Sequence, residues 1–300
     1  MKIHQLILSL FLAGAFLSSL PASFATAQEN PIRIPRNPSI APAGNLIAFA
    51  WQNDIWTAKI GGGTANRVTL HAATDDTPIF SADGQHLYFS SNRSGQTQVH
   101  VIPVGGGEAK QITFDSNRKT LHGVTGDGRF LLVSQSTDRG WHYSEYSRAF
   151  LLDTEGKQPK KMLFDVGIRD AAISPDGSKV LFVRGRSNWF RKGYQGSQAA
   201  QLWLADLSTQ PVALTRLSRD RKDFQNVAHM DPMWAPDGKS YYFTSDPDGV
   251  FNIYQQKLGS ADVRKVTDVA KDGVDDGVAG GCRCTNRPTP PRRGRCGNFY

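Results

Sequence analysis

The chain has 300 residues, 39% hydrophobic and 21% charged, and its 29 glycines follow no three-residue period, which excludes a disordered chain, a coiled coil and collagen. The net charge is +8, yet residues 1–27 hold one Lys and no acid while residues 278–300 hold five Arg and no acid, leaving only about +2 between them. So neutral a middle carries no nucleic-acid footprint, and past the N-terminus no apolar run is long enough to span a membrane.

Residues 1–27 read as a signal peptide. Lys2 supplies a positive start, Leu6 to Leu20 an apolar run too short for a membrane anchor, and Pro21 breaks it. Ala25-Thr26-Ala27 is the small-x-small pattern that a signal peptidase cuts after, so a periplasmic or secreted mature chain is expected to start after Ala27. The body has no Cys, which suits an exported protein that does without disulfides.

Residues 28–277 repeat one pattern: an apolar stretch, a tight turn ending in Gly, then an apolar strand. The turns are Ala41-Pro-Ala-Gly44, Ser81-Ala-Asp-Gly84, Thr125-Gly-Asp-Gly128, Ser174-Pro-Asp-Gly177 and Ala235-Pro-Asp-Gly238. Pro presets φ, Asp bonds its own backbone, and Gly takes the left-handed position, so each copy predicts a hairpin. A third strand is visible at Asp54-Ile-Trp-Thr-Ala58, Gln98-Val-His-Val-Ile102, Gln201-Leu-Trp-Leu-Ala205 and Asn252-Ile-Tyr-Gln-Gln256. Gly-rich turns at Gly61 and Gly105, and a turn at Gly259, lead to fourth strands ending Arg67-Val-Thr69, Gln111-Ile-Thr113 and Lys265-Val-Thr267. Four strands in roughly 40 residues is the period of a β-propeller blade. The fold class is therefore all-β, with blades expected at about 36–76, 77–119, 120–169, 170–228 and 229–273.

A sixth hairpin is due after Lys271-Asp-Gly273, but the chain turns instead to Cys, Pro and Arg. Residues 278–300 read as a disordered basic tail, and so abrupt a change of composition points to a frameshift or a premature end. Cys282, Cys284 and Cys296 have no His beside them to complete a metal site, and nothing else calls for a metal or a cofactor. With the last blade missing, Trp51 and Tyr241 to Phe243 on the end blades are expected to be only partly covered, which leaves self-association into a homo-oligomer open.

Two segments are more specific than the repeats. Lys192-Gly-Tyr-Gln-Gly196 precedes an apolar strand, and Pro232-Met-Trp234 is followed by Tyr242-Phe-Thr-Ser-Asp246 and Asp248-Gly-Val-Phe-Asn-Ile-Tyr254. With the Asp-Gly repeats, they make the chain resemble the N-terminal propeller of tricorn-like serine proteases. The resemblance covers nearly all of residues 36–268. It implies a six-bladed propeller that screens or channels peptides towards peptidase domains outside this chain. TolB propellers share the repeats but not both segments, and the alternative is a free-standing, TolB-like propeller that docks a periplasmic protein.

Catalysis by the chain itself is not expected: its His residues past the signal peptide are scattered over four of the repeats, with no metal-binding His pair and no Gly-x-Ser-x-Gly elbow. The resemblance implies that basic residues of this propeller hold the carboxyl end of a peptide. It points to Arg118 and Lys119, just before the third blade's inner strand; the loop of blade four with Trp189, Arg191 and Tyr194 is a further candidate as another axial loop. Arg forks onto a carboxylate and Lys adds a point charge.

Overall fold

The computed structural model describes residues 32–136, 147–185, 194, 196, 199–217 and 227–269. The five turn glycines set the hairpins: Gly44, Gly84, Gly128, Gly177 and Gly238 all have φ between +63 and +72, the left-handed region that costs glycine nothing. In three turns a hydroxyl completes the closure. Ser81, Thr125 and Ser174 each donate to the turn aspartate, Asp83, Asp127 or Asp176, and accept the N–H of the residue opposite at 3.0, 3.0 and 2.8 Å. The hydroxyl bonds hold these carboxyls below their ordinary range, Asp176 at about 2. Ala41 and Ala235 take the hydroxyl's place in the first and last turns, which close through backbone bonds of 2.9 Å.

Twenty strands form five antiparallel four-stranded sheets, each in simple chain order. Blade one is β1 (Arg36–Ile40), β2 (Leu46–Trp51), β3 (Asp54–Lys59) and β4 (Asn66–Arg67). Blade two is β5 (Asp75–Phe80), β6 (His86–Ser91), β7 (Gln98–Pro103) and β8 (Lys110–Gln111). Blade three is β9 (Lys119–Val124), β10 (Phe130–Ser136), β11 (Ser147–Asp153) and β12 (Lys161–Ile168). Blade four is β13 (Asp170–Ile173), β14 (Lys179–Arg184), β15 (Gln201–Asp206) and β16 (Ala213–Arg216). Blade five is β17 (His229–Trp234), β18 (Ser240–Ser245), β19 (Asn252–Lys257) and β20 (Val263–Lys265). The inner strands β1, β5, β9, β13 and β17 pack one beside the next, the arrangement of a β-propeller. The resemblance implied six blades, whereas five are present among the described residues. The Cys- and Arg-rich residues 278–300 lie outside them.

Side chains along the second strands of blades two, three and four alternate between the two neighbouring blades, as period-2 geometry requires. Leu87 and Phe89 of β6 pack with Ala48, Ala50 and Ile55 of blade one, while Tyr88 turns to Leu121, Leu131 and Val133 of blade three. Leu132 of β10 and Phe182 of β14 share a cluster between blades three and four, where the Phe164 and Phe182 ring centroids lie 4.9 Å apart. Leu181 and Val183 meet Tyr241, Phe243 and Tyr254 of blade five. This corrects the expectation for the last blade: Tyr241 and Phe243 are 1% and 2% exposed because they face blade four. Trp51 and Tyr242 are half-buried.

A second clip repeats at the start of the third strands. Thr69, Thr113 and Thr267 each accept the N–H of Ile55, Val99 or Ile253 at 2.9 Å. Each also donates to the side chain 15 residues earlier, Asp54 at 3.2 Å, Gln98 at 2.6 Å and Asn252 at 3.0 Å. The short fourth strands are thereby locked onto their sheets, and the chain beyond them is aimed at the next blade.

Candidate functional site

The segments that leave Thr69 and Thr113 cross to the next inner strand. Three inner strands start with an N–H bonded to a carbonyl of the preceding blade: Asp75 to Asn53 at 2.8 Å, Lys119 to Thr97 at 3.0 Å, His229 to Ala200 at 2.9 Å. The first residue of the strand is in each case charged or titratable, and buried.

Two ion pairs on this face keep the acid inside and the cation outside. Asp54 is 3% exposed beneath Arg67 at 41%, and Asp75 is 0% exposed beneath Arg93 at 18%. Both oxygens of Asp75 accept from Arg93, at 3.0 and 2.8 Å. A buried charge needs such a partner, because leaving water costs several kcal/mol or more.

The connector between β8 and β9 reverses the polarity. Lys119 is 1% exposed, and its ammonium donates to Asp115 and, at 3.0 Å, to the Asn117 carbonyl. Lys160 adds a second ammonium to Asp115 at 2.8 Å. Burial would raise the Asp115 carboxyl, but bonds from Lys119, Lys160 and the Asn117 N–H outweigh it and hold it at about 2. Burial pulls the Lys119 ammonium below its ordinary value, with Asp115 opposing. Gln98 completes the cage, donating to the carbonyls of Asp115 at 2.7 Å and Asn117 at 3.1 Å.

The connector is thus pinned at Thr113, Asp115, Asn117 and Lys119, and its exposed side chains include Phe114, at 78%, and Arg118. Two ammonium groups meet a single carboxylate here, and Arg118 adds a further cation on the same connector, so its charge is net positive. Among the residues singled out from sequence, Arg118 and Lys119 are turned apart: one faces solvent, the other holds the loop. Tyr194 is half-buried between β14 and β15, and Trp189 and Arg191 lie outside the described residues. Phe114 escaped the sequence reading, because an aromatic after a strand motif looks like core.

One array has the connectivity of a catalytic triad. His122 Nε2 lies 2.8 Å from Ser134 Oγ, and its Nδ1 lies 3.1 Å from Asp170 Oδ1. The Asp170 carboxylate also accepts the Ala171 N–H at 2.8 Å. Ser134, however, is 3% exposed and sits in the β9–β10 ladder opposite Thr120, where no substrate carbonyl reaches it. The array bridges blade three to blade four. Among the described residues no His, Cys, Asp and Glu cluster is arranged to hold a metal.

The family model for the tricorn protease N-terminal beta propeller domain matches residues 33–283. The chain belongs to this family. Tricorn protease homolog 1 of Streptomyces coelicolor is 30% identical over 254 residues, a match covering 79% of this chain and 22% of that protein. Among solved structures, the tricorn protease superposes with a TM-score of 0.62 at 22% identity, over 80% of this chain and 23% of that one. A putative TolB from Agrobacterium tumefaciens reaches a TM-score of 0.63 at 16% identity, over 79% of this chain and 82% of that one. At such identities these two likenesses concern the fold alone. This tricorn-type propeller therefore spans about a fifth of the Streptomyces relative, with its pinned connector between blades two and three.

Proposed function

We propose that this chain is the non-catalytic propeller portion of a tricorn-like serine peptidase, and that it screens or channels peptides towards peptidase domains it does not itself contain. The observation that carries this reading is the pinned β8–β9 connector, which holds Arg118 outward in an electropositive setting. Because the loop that carries the guanidinium is already pinned, a charge-assisted contact to a carboxylate costs side-chain freedom but little backbone freedom. Lys119 supports the site by positioning the loop, and Trp189, Arg191 and Tyr194 remain proposed contacts from blade four. The test compares one peptide with a free and with an amidated C-terminus. Arg118→Ala should weaken the first by about tenfold and leave the second unchanged. Equal affinities in all four combinations would remove Arg118 from the reading.

The fold likeness to TolB supports a second reading, a free-standing propeller that docks a folded protein. It separates from the first by its ligand: short unstructured peptides would not bind. We further propose that the mature chain starts after Ala27 and works in the periplasm or outside the cell. An intact Met1 in the exported protein would contradict that start.

A further inference from the structure

Leu70 and Phe114 are 79% and 78% exposed, the two most open of the large apolar side chains among the described residues. They are equivalent positions on adjacent blades, each directly after the buried threonine that clips its third strand, Thr69 or Thr113. In blade five the residue after Thr267 is Asp268, which belongs to a surface pair with Lys265. The repeat therefore does not demand an apolar residue here. Nor can either side chain turn inward easily, since the threonine before it is tied on two sides.

The charges around the two side chains select a partner. Asp54 and Asp75 lie beneath outward-facing Arg67 and Arg93, and Asp115 is shared by Lys119 and Lys160. Arg118 makes no described ion pair that would cancel it. The face thus offers cations and two apolar anchors, while Asp54 and Asp75 are buried and Asp115, 37% exposed, is already shared by two ammonium groups. An incoming basic segment finds only that neutralised carboxylate; an acidic, apolar one finds both of its needs met.

We propose that Leu70 and Phe114 are paired anchors for an extended acidic–apolar peptide segment laid across the connectors of blades one and two. This rests on the peptide-handling reading and adds the class of segment handled. The anchors act on side chains within the peptide, so they do not depend on a free carboxyl end.

The test uses the full chain and a fluorescein-labelled acetyl-Glu-Leu-Asp-Phe-Glu-Leu-Asp-amide, with a probe carrying Lys in place of every acid as control. Fluorescence anisotropy should give an affinity for the acidic probe at least about tenfold above that for the basic one. The double variant Leu70→Ser, Phe114→Ser should lose about tenfold on the acidic probe with an unchanged melting profile, both sites being exposed. Unchanged affinity in the double variant, while free-carboxylate peptides still bind, overturns the anchors alone. If no peptide of either kind binds, the peptide-handling reading falls with them. Binding to vesicles of anionic phospholipid without binding to the probe, or a self-association in sedimentation that the double variant abolishes, would equally overturn the proposal.

Discussion

A Cβ at Gly126 would lie 2.0 Å from the carbonyl oxygen of Pro175, so the hairpin turns of blades three and four meet backbone to backbone. The same turn position holds Pro42, Ala82, Pro175 and Pro236 in the other blades. Glycine is needed at 126 for space, since its φ lies outside the left-handed region. Gly126→Ala must push two blades apart, and overpacking of this kind costs about 1–3 kcal/mol. The melting temperature should fall by about 2–4 °C per kcal/mol. Gly105→Ala, with open space around its Cβ, should change little. A Gly126→Ala protein that melts with the wild type would mean the hairpins are not in contact.

The threonine clips should behave alike. Thr69→Val, Thr113→Val and Thr267→Val each keep the side-chain volume and leave an N–H unpaired, and the first two also orphan a side-chain acceptor, whereas Asn252 keeps the Val269 N–H at 2.9 Å. Each should cost about 1–3 kcal/mol, with Thr267→Val at the low end. Only Thr113→Val should also weaken binding of free-carboxylate peptides at Arg118, because its partner Gln98 holds the connector at Asp115 and Asn117. Chemical denaturation and a binding titration on all three variants would separate the two effects. Equal binding loss in all three would refute a special role for that connector.

His229 makes stability depend on pH. Burial keeps its ring neutral down to about 4, although the Val227 carbonyl opposes this. In the unfolded chain the ring takes its proton near the ordinary value of about 6.5. The unfolded state therefore binds more protons as pH falls, and the stability present above about 6.5 is lost progressively through about 4, at no more than about 1.4 kcal/mol per pH unit. His229→Gln should flatten that slope, leaving the weaker contribution of His100, whose ring is also depressed by burial. Denaturation midpoints at neutral and mildly acid pH test this, and parallel slopes for wild type and variant would contradict it.

The His122 bridge should be structural. Asp170→Ala removes the acceptor for Nδ1 and should cost about 1–3 kcal/mol. A serine-directed inhibitor should leave Ser134 unlabelled in wild type and variant, as intact-mass and peptide mapping would reveal. Labelling of Ser134 would show that its hydroxyl reaches solvent after all.

The propeller was legible in the sequence because its punctuation is local. Each turn glycine marks a hairpin, and in blades one, two and five the third strand starts 10 to 14 residues later. The third and fourth strands of blade three, β11 and β12, are hidden by a longer insertion after the Gly128 turn, and the fourth strand of blade four, β16, follows a Ser208-Thr-Gln-Pro211 turn that lacks the glycine marking the others. The site was less legible. Arg118 and Lys119 are neighbours of like charge, and only the connector's path decides that one is sealed against Asp115 while the other faces water. The bridge from His122 to Asp170 joins residues 48 apart, which no spacing rule connects.

We propose that this propeller engages peptides and leaves them whole. The most direct measurement incubates the full chain with a defined set of unstructured peptides, following binding by anisotropy and peptide mass over time. Saturable binding that Arg118→Ala weakens, with every peptide mass unchanged, is the predicted result. Cleavage of any peptide, or no binding to any of them, would contradict the account.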